Sequence, residues 1–202
     1  MSKFVERWEP RESGGGSVSA PFKPRLEQAI RTINRQIALF EQASARLAIK
    51  DRELFEKVVK YYSSGDMARA RIYATELAEV RKLHRNVYLA MLAFKQIAMR
   101  LTTIRDFGDI VSIVAPALDV VKNIRAGVAA LTPEADKTFS DLSDLFTDLL
   151  VEATQTTGVT PEPGYVSEEA RKILEEAAAV AEQQLKSKLP PIPVEEQEGV
   201  RI

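Results

Sequence analysis

The chain reads as an all-α protein: a long antiparallel helical hairpin with additional short helices packing on it or extending it. Three observations predict this. Between Pro24 and Gly65 there is neither Gly nor Pro. Stepping alternately four and three residues from Leu26 meets Leu26, Ile30, Ile33, Ile37, Phe40, Ser44, Leu47, Asp51, Leu54, Val58 and Tyr61, apolar at nine of eleven positions; that is the seam of a coiled-coil-like helix. A second run has a seam of the same kind: Ala70, Tyr73, Leu77, Val80, His84, Val87, Met91, Phe94, Ala98 and Leu101. Only Ser63-Ser64-Gly65-Asp66 separates the two, and so short a loop makes long helices antiparallel neighbours.

The elements follow in order. Met1 to Pro10 places Phe4, Val5 and Trp8 at helical spacing beside Lys3 and Arg7; Trp favours the headgroup region, so these three are candidates for membrane insertion, the alternative being a tail with chance aromatics. Ser13-Gly14-Gly15-Gly16-Ser17 is a flexible linker. Pro21 suits the first position of the first long helix, which at ~37 residues spans ~55 Å. Asp66 is placed to cap the second helix. A slender hairpin leaves Ile72, Leu89, Leu92 and Ile97 off its seam, and these need further helices or subunits to cover them. Gly108 interrupts the helical run, and a shorter apolar helix follows, which Pro116 is expected to kink or divide. Residues 138–154 are amphipathic, with Asp141, Asp144 and Asp148 opposite Phe139, Leu142, Leu145, Phe146 and Leu149. Residues 156–164 read as a linker. An Ala- and Glu-rich helix runs from Ser167 to about Lys188, and Leu189-Pro190-Pro191-Ile192-Pro193-Val194 is too rich in proline for helix. Three regions result: 1–20, a membrane-inserting segment and Gly/Ser linker; 21–155, a helical core made of the hairpin 21–106 and short helices 107–155; and 156–202, a flexible regulatory tail.

Composition narrows the function. Of 202 residues none is Cys and one is His, which removes disulfide scaffolds, thiolate metal sites and Cys-His catalysis. Scarce Asn with absent Cys suits a thermophile. There is no phosphate-binding Gly-rich loop, and the residue three before His84 is Arg81, so the Glu-x-x-His of bundle metal sites is missing. His84 lies on the seam and reads first as a packed core histidine and second as a pH switch. The acidic triple reads as a solvated or hairpin-pairing face. Catalytic, cofactor and metal residues are therefore none, and the expectation is a protein that is not an enzyme.

The net charge of −1 hides a division. Residues 21–105 carry 17 Lys+Arg and 8 Asp+Glu, net +9; residues 106–202 carry 8 and 18, net −10. Arg25, Arg31, Arg35, Lys57, Lys60, Arg69, Arg71, Arg81 and Arg85 form the basic surface of the hairpin. An anionic lipid surface, at ~1 kcal/mol per well-placed cation, or the acidic half itself would satisfy it. Nucleic acid is disfavoured, since no base-reading module is present and no stacking aromatics interleave with the basic residues. No apolar run nears the ~20 residues of a membrane span, and the N-terminus lacks a signal-peptide core, so a cytoplasmic protein is expected.

Taken together, Lys23-Pro24-Arg25-Leu26 with its seam, Gly65-Asp66-Met67-Ala68-Arg69-Ala70-Arg71-Ile72-Tyr73-Ala74 opening the second helix, and Leu189-Pro190-Pro191-Ile192-Pro193 in the tail resemble the ESCRT-III family, in its CdvB-type form from archaeal cell division. The resemblance covers nearly the whole chain and implies a short paralogue without the winged-helix domain. It implies filaments built from copies of this chain and paralogous subunits, assembling on anionic lipid at the division site to constrict and cut the membrane. It also implies disassembly by a AAA ATPase whose MIT domain binds the tail, with Leu189, Ile192 and Val194 as apolar anchors and Pro190 and Pro193 holding the strand extended. Residues 182–189 loosely resemble the family's helical type-one motif as well, though Pro190 ends that helix. A closed monomer, its acidic half folded on the basic hairpin, would open by straightening around a hinge at Gly108. The alternative is a soluble coiled-coil adaptor or scaffold without membrane activity.

Overall fold

The computed structural model describes residues 22–105, 107–128 and 133–193. Five helices follow one another: α1 (Phe22–Ser63), α2 (Met67–Leu101), α3 (Phe107–Val128), α4 (Pro133–Thr157) and α5 (Pro163–Lys188). Among the described residues there is no strand. At 42 residues, α1 extends ~63 Å.

Three residues reverse the chain between α1 and α2. Asp66 N–H donates to the Tyr61 carbonyl at 3.0 Å and Gly65 N–H to that of Tyr62 at 3.1 Å, which satisfies two carbonyls that the end of α1 would leave unmet. The geometry needs a left-handed residue, and Gly65 supplies it at φ +78°. Asp66 then turns to the next helix, its carboxylate accepting from Arg69 N–H at 3.1 Å.

The hairpin has two unlike halves. At its open end the remaining helices wrap it. α4 runs back along α1, with Arg25 meeting Glu152 and Phe40 meeting Phe139. α3 packs between α4 and α5 and against α2, where Asn86 donates to the Gly127 carbonyl, and its Phe107 ring meets Phe22 at the start of α1. α5 runs antiparallel to α2, through Arg100–Glu169, Gln96–Glu176 and Tyr88–Gln184. The core here is built on Phe22, Phe94, Phe139 and Phe146. Toward the turn, little of the described chain covers the hairpin. A second, small core of Leu54, Val58, Leu77 and Val80 is closed by one residue from outside the hairpin, Ile192.

The off-seam apolar residues divide the same way. Ile97 is buried and Leu89 and Leu92 pack on the main core, whereas Ile72, near the turn, is 65% exposed. Elsewhere the elements differ from the sequence expectation at proline. Pro116 does not divide α3: the helix is continuous through it, with Val114, Ala115 and Ala117 buried on either side. Its missing N–H removes one rung, which this packing tolerates. Residues 163 and 164, expected in a linker, open α5, because Pro163 occupies the first-turn position that needs no N–H. Residues 163–188 do not hang free as a tail; Ala170, Ile173, Ala177 and Ala181 bury one face of α5. Gly108 sits in the first turn of α3, just past the break at Thr102–Ile104 where α2 ends.

Candidate functional site

Where the two hairpin halves meet, the seam turns polar. Ser44 and Asp51 were the two misfits of the α1 pattern, and each finds its partner on α2. Ser44 Oγ lies 2.8 Å from His84 Nε2. Asp51, 3% exposed, is gripped from two sides by Arg81, Nε donating to Oδ2 at 2.7 Å and Nη2 to Oδ1 at 3.3 Å. A carboxylate this buried is tolerable only when paired and hydrogen-bonded, and the guanidinium fork meets that requirement. His84 is buried, and its Nδ1 has no hydrogen-bond partner. Burial pushes its pKa below the ordinary imidazole value; the Asp51 charge opposes this and Lys188, arriving on α5, adds to it. His84 is thus the packed core histidine the seam suggested.

The tail begins at this polar layer. α5 ends at Leu189, whose backbone turns extended (φ −113°, ψ 121°). The next carbonyl, of Pro190, accepts the remaining Arg81 Nη1–H at 2.7 Å, so one arginine ties α1, α2 and the tail. Two residues on, Ile192 is 6% exposed in the small core against Leu54, Val58, Leu77 and Val80. Of the motif singled out in the sequence, Ile192 is therefore docked on the hairpin and Pro190 is clasped by its carbonyl. Leu189 and Pro193 are half-buried. Val194 lies outside the described residues, as do Phe4, Val5 and Trp8.

The basic surface does not act as one patch. Arg25 pairs with Glu152 of α4 at 3.1 Å. Arg31 pairs with Glu27 on its own helix, and Arg35 donates to Thr32. Arg85 faces Glu182 of α5, whose carboxyl is held below its usual range first by Lys186 and further by Arg85. A residue the sequence reading did not single out, Arg100, bonds Glu169 of α5 at 3.3 Å, and Lys172 with Arg100 holds that carboxyl low as well. Acidic groups of α4 and α5 thus do meet the basic hairpin, each partly exposed pair contributing ~0.2–1 kcal/mol. Asp141, Asp144 and Asp148 are exposed, and among the described residues no cluster of His, Asp and Glu is arranged to hold a metal ion.

At the tip the aromatics expected to be absent are present. Tyr61 and Tyr73 stack across the hairpin, centroids 5.4 Å apart and planes 7° from parallel. Lys57 Nζ lies 5.3 Å from the centre of the Tyr73 ring, and Lys60 Nζ and Arg69 Cζ lie 5.9 and 5.6 Å from that of Tyr61. The stack is invisible in either run alone and follows from the hairpin register, which sets positions 61 and 73 opposite each other. Arg71 is exposed beside it. No helix among the described residues is long and apolar enough to cross a membrane.

Comparison with known proteins places this architecture. The chain is 34% identical over 192 residues to Cell division protein B1 of Sulfolobus acidocaldarius, covering 95% of this chain and 90% of that protein. It is 28% identical over 175 residues to Cell division protein B of the same organism, covering 85% and 67%. No family model and no solved structure matches.

Proposed function

The chain belongs to the CdvB-type ESCRT-III family of cell-division proteins, and from that premise we propose that it is a filament-forming, membrane-remodelling subunit in the closed, resting state. Opened copies, with paralogous subunits, polymerise on the anionic cytoplasmic face of the membrane at the division site and drive its constriction. A MIT-domain AAA ATPase takes the extended Leu189–Val194 segment to extract them. The protein performs no catalysis of its own; force comes from assembly and from the ATPase.

The single observation that carries this reading is the seating of the tail. The sequence that resembles an ATPase-binding motif is the one that closes the small core near the tip, through Ile192, and takes the third bond of Arg81 through Pro190. The closed state hides Ile192 from any partner and covers hairpin surface with α4 and α5. Opening returns that apolar surface to subunit contacts, and the region around residues 102–108 is where α2 can extend into α3.

The test is sedimentation of the full chain with vesicles of anionic and of neutral lipid, with electron microscopy of the pellets. Salt-sensitive binding to anionic vesicles, with filaments or rings, supports the reading. A stable small oligomer indifferent to both vesicles would mean a soluble scaffold and overturn it.

A further inference from the structure

We infer that the cleft between α1 and α4 is a binding site for a nucleoside phosphate. This goes beyond the assembly role and does not depend on it.

The cleft lies beside the Phe40–Phe139 contact and has a volume of about 720 Å³, within the ~300–1,000 Å³ of small-molecule sites. Leu39, Phe40, Leu142 and Leu145 make its apolar wall, and Leu39 is 49% exposed. Gln36 lines the same cleft. It is 4% exposed, and its Oε1 has no hydrogen-bond partner among the described residues. A buried acceptor left unmet is costly, and a donor on a ligand would meet it.

Three cations line the cleft as well: Arg35, Arg46 and Lys137. Arg35 donates to Thr32, and among the described residues none of the three is in an ion pair. Asp141 is the one carboxylate among those lining residues. Its acidic neighbours are engaged elsewhere. Glu27 pairs with Arg31, Glu41 with Lys95 and Asp136 with Arg125, on which Asp144 also acts.

The order of these groups defines the ligand. Because α4 runs antiparallel to α1, Lys137 and Arg46 stand at one end of the cleft, Arg35 and Gln36 toward the other, and Asp141 between. Gln36 and Arg46 are ~15 Å apart along the axis of α1. A side-chain amide meets an adenine edge with one bond donated and one accepted. A carboxylate accepts from ribose hydroxyls, and guanidinium and ammonium groups take phosphate. Gln36, Asp141 and the pair Arg46 and Lys137 follow in that sequence. Arg35, next to Gln36, can stack on the face of the base, and the leucines give it apolar cover. A bare phosphate chain would leave Gln36 unmet, which separates this site from a general attraction of anions to the basic hairpin. The site recognises its ligand; no bond is made or broken.

The test is titration calorimetry of the full chain with ATP and, separately, with inorganic tripolyphosphate. One ATP per chain is expected, bound about tenfold more tightly than tripolyphosphate. Arg46→Glu with Lys137→Glu should weaken both ligands by about tenfold or more. Gln36→Leu should weaken ATP about tenfold and leave tripolyphosphate unmoved. Asp141→Asn, on the surface of α4, serves the same purpose if Gln36→Leu does not fold. Reversing the tip charges with Lys57→Glu and Lys60→Glu should change neither ligand. Absence of saturable ATP binding overturns the inference. So does tripolyphosphate bound as tightly as ATP, an ATP affinity indifferent to Gln36→Leu and Asp141→Asn, or ATP binding that is lost with the tip charges.

Discussion

Arg81 is the residue on which most depends. Among the described residues it is the sole ion-pair partner of a buried carboxylate and also the clasp on Pro190. Arg81→Met keeps the aliphatic stem but leaves Asp51 charged and alone, and should lose ~3–5 kcal/mol in chemical denaturation. Adding Asp51→Asn should recover most of that loss without restoring the tail contact. A second prediction concerns His84. Its pKa is lowered in the folded protein by burial and by Lys188 against the pull of Asp51, so the unfolded chain binds the proton more readily. Its contribution to stability is therefore full above the ordinary imidazole value of ~6.5 and is lost as pH falls through the lower folded value. Denaturation midpoints measured down that range should drop for the native chain, and the drop should be smaller for His84→Gln; equal drops would remove His84 as the source. Both residues show what a linear reading holds and lacks. Ser44 and Asp51 were visible as polar misfits on an apolar seam, a pattern that signals buried partners. Which partners they take is set by a register thirty to forty positions away.

At the scale of elements, periodicity and turn chemistry made the hairpin legible. Of the seam positions, Ile33, Ile37, Phe40, Asp51, Leu54 and Val58 are buried on α1, and Gly65 and Asp66 build the turn. Gly65→Ala meets no neighbouring atom but must keep φ +78°, so it should cost ~1–2 kcal/mol and lower the midpoint of thermal unfolding by several degrees. Gly164→Ala, in the first turn of α5 with open space around it, should not. The start of α5 was less legible, because Pro163-Gly164 carries the composition of a loop and only the packing of Ala170, Ile173 and Ala177 shows otherwise. The tip stack of Tyr61 and Tyr73 was equally hidden, each tyrosine reading as one more seam residue. Seating of the tail also alters what one substitution should do. From the motif alone, Ile192→Asp removes an anchor for the ATPase and nothing else. With Ile192 closing the small core, the same change should abolish binding of a MIT domain and also unseat the tail, so that assembly increases.

For the whole molecule, the near-zero net charge resolves into a basic hairpin with acidic helices laid on it, joined by pairs such as Arg25–Glu152 and Arg100–Glu169. Those pairs are weak singly and screened by salt, while Ile192 is buried and so is the Asp51 carboxylate that Arg81 holds. The proposed closed state would thus be held by the apolar contact of Ile192 and the buried Asp51–Arg81 pair near one end and adjusted by charge along its length. The central claim is that this closure restrains assembly on membranes. It is tested most directly by sedimenting the native chain and the Ile192→Asp variant side by side with anionic vesicles and imaging both by electron microscopy. The account predicts that the variant forms membrane-bound filaments at concentrations where the native chain remains largely unassembled. A correctly folded variant that assembles no more than the native chain would contradict it.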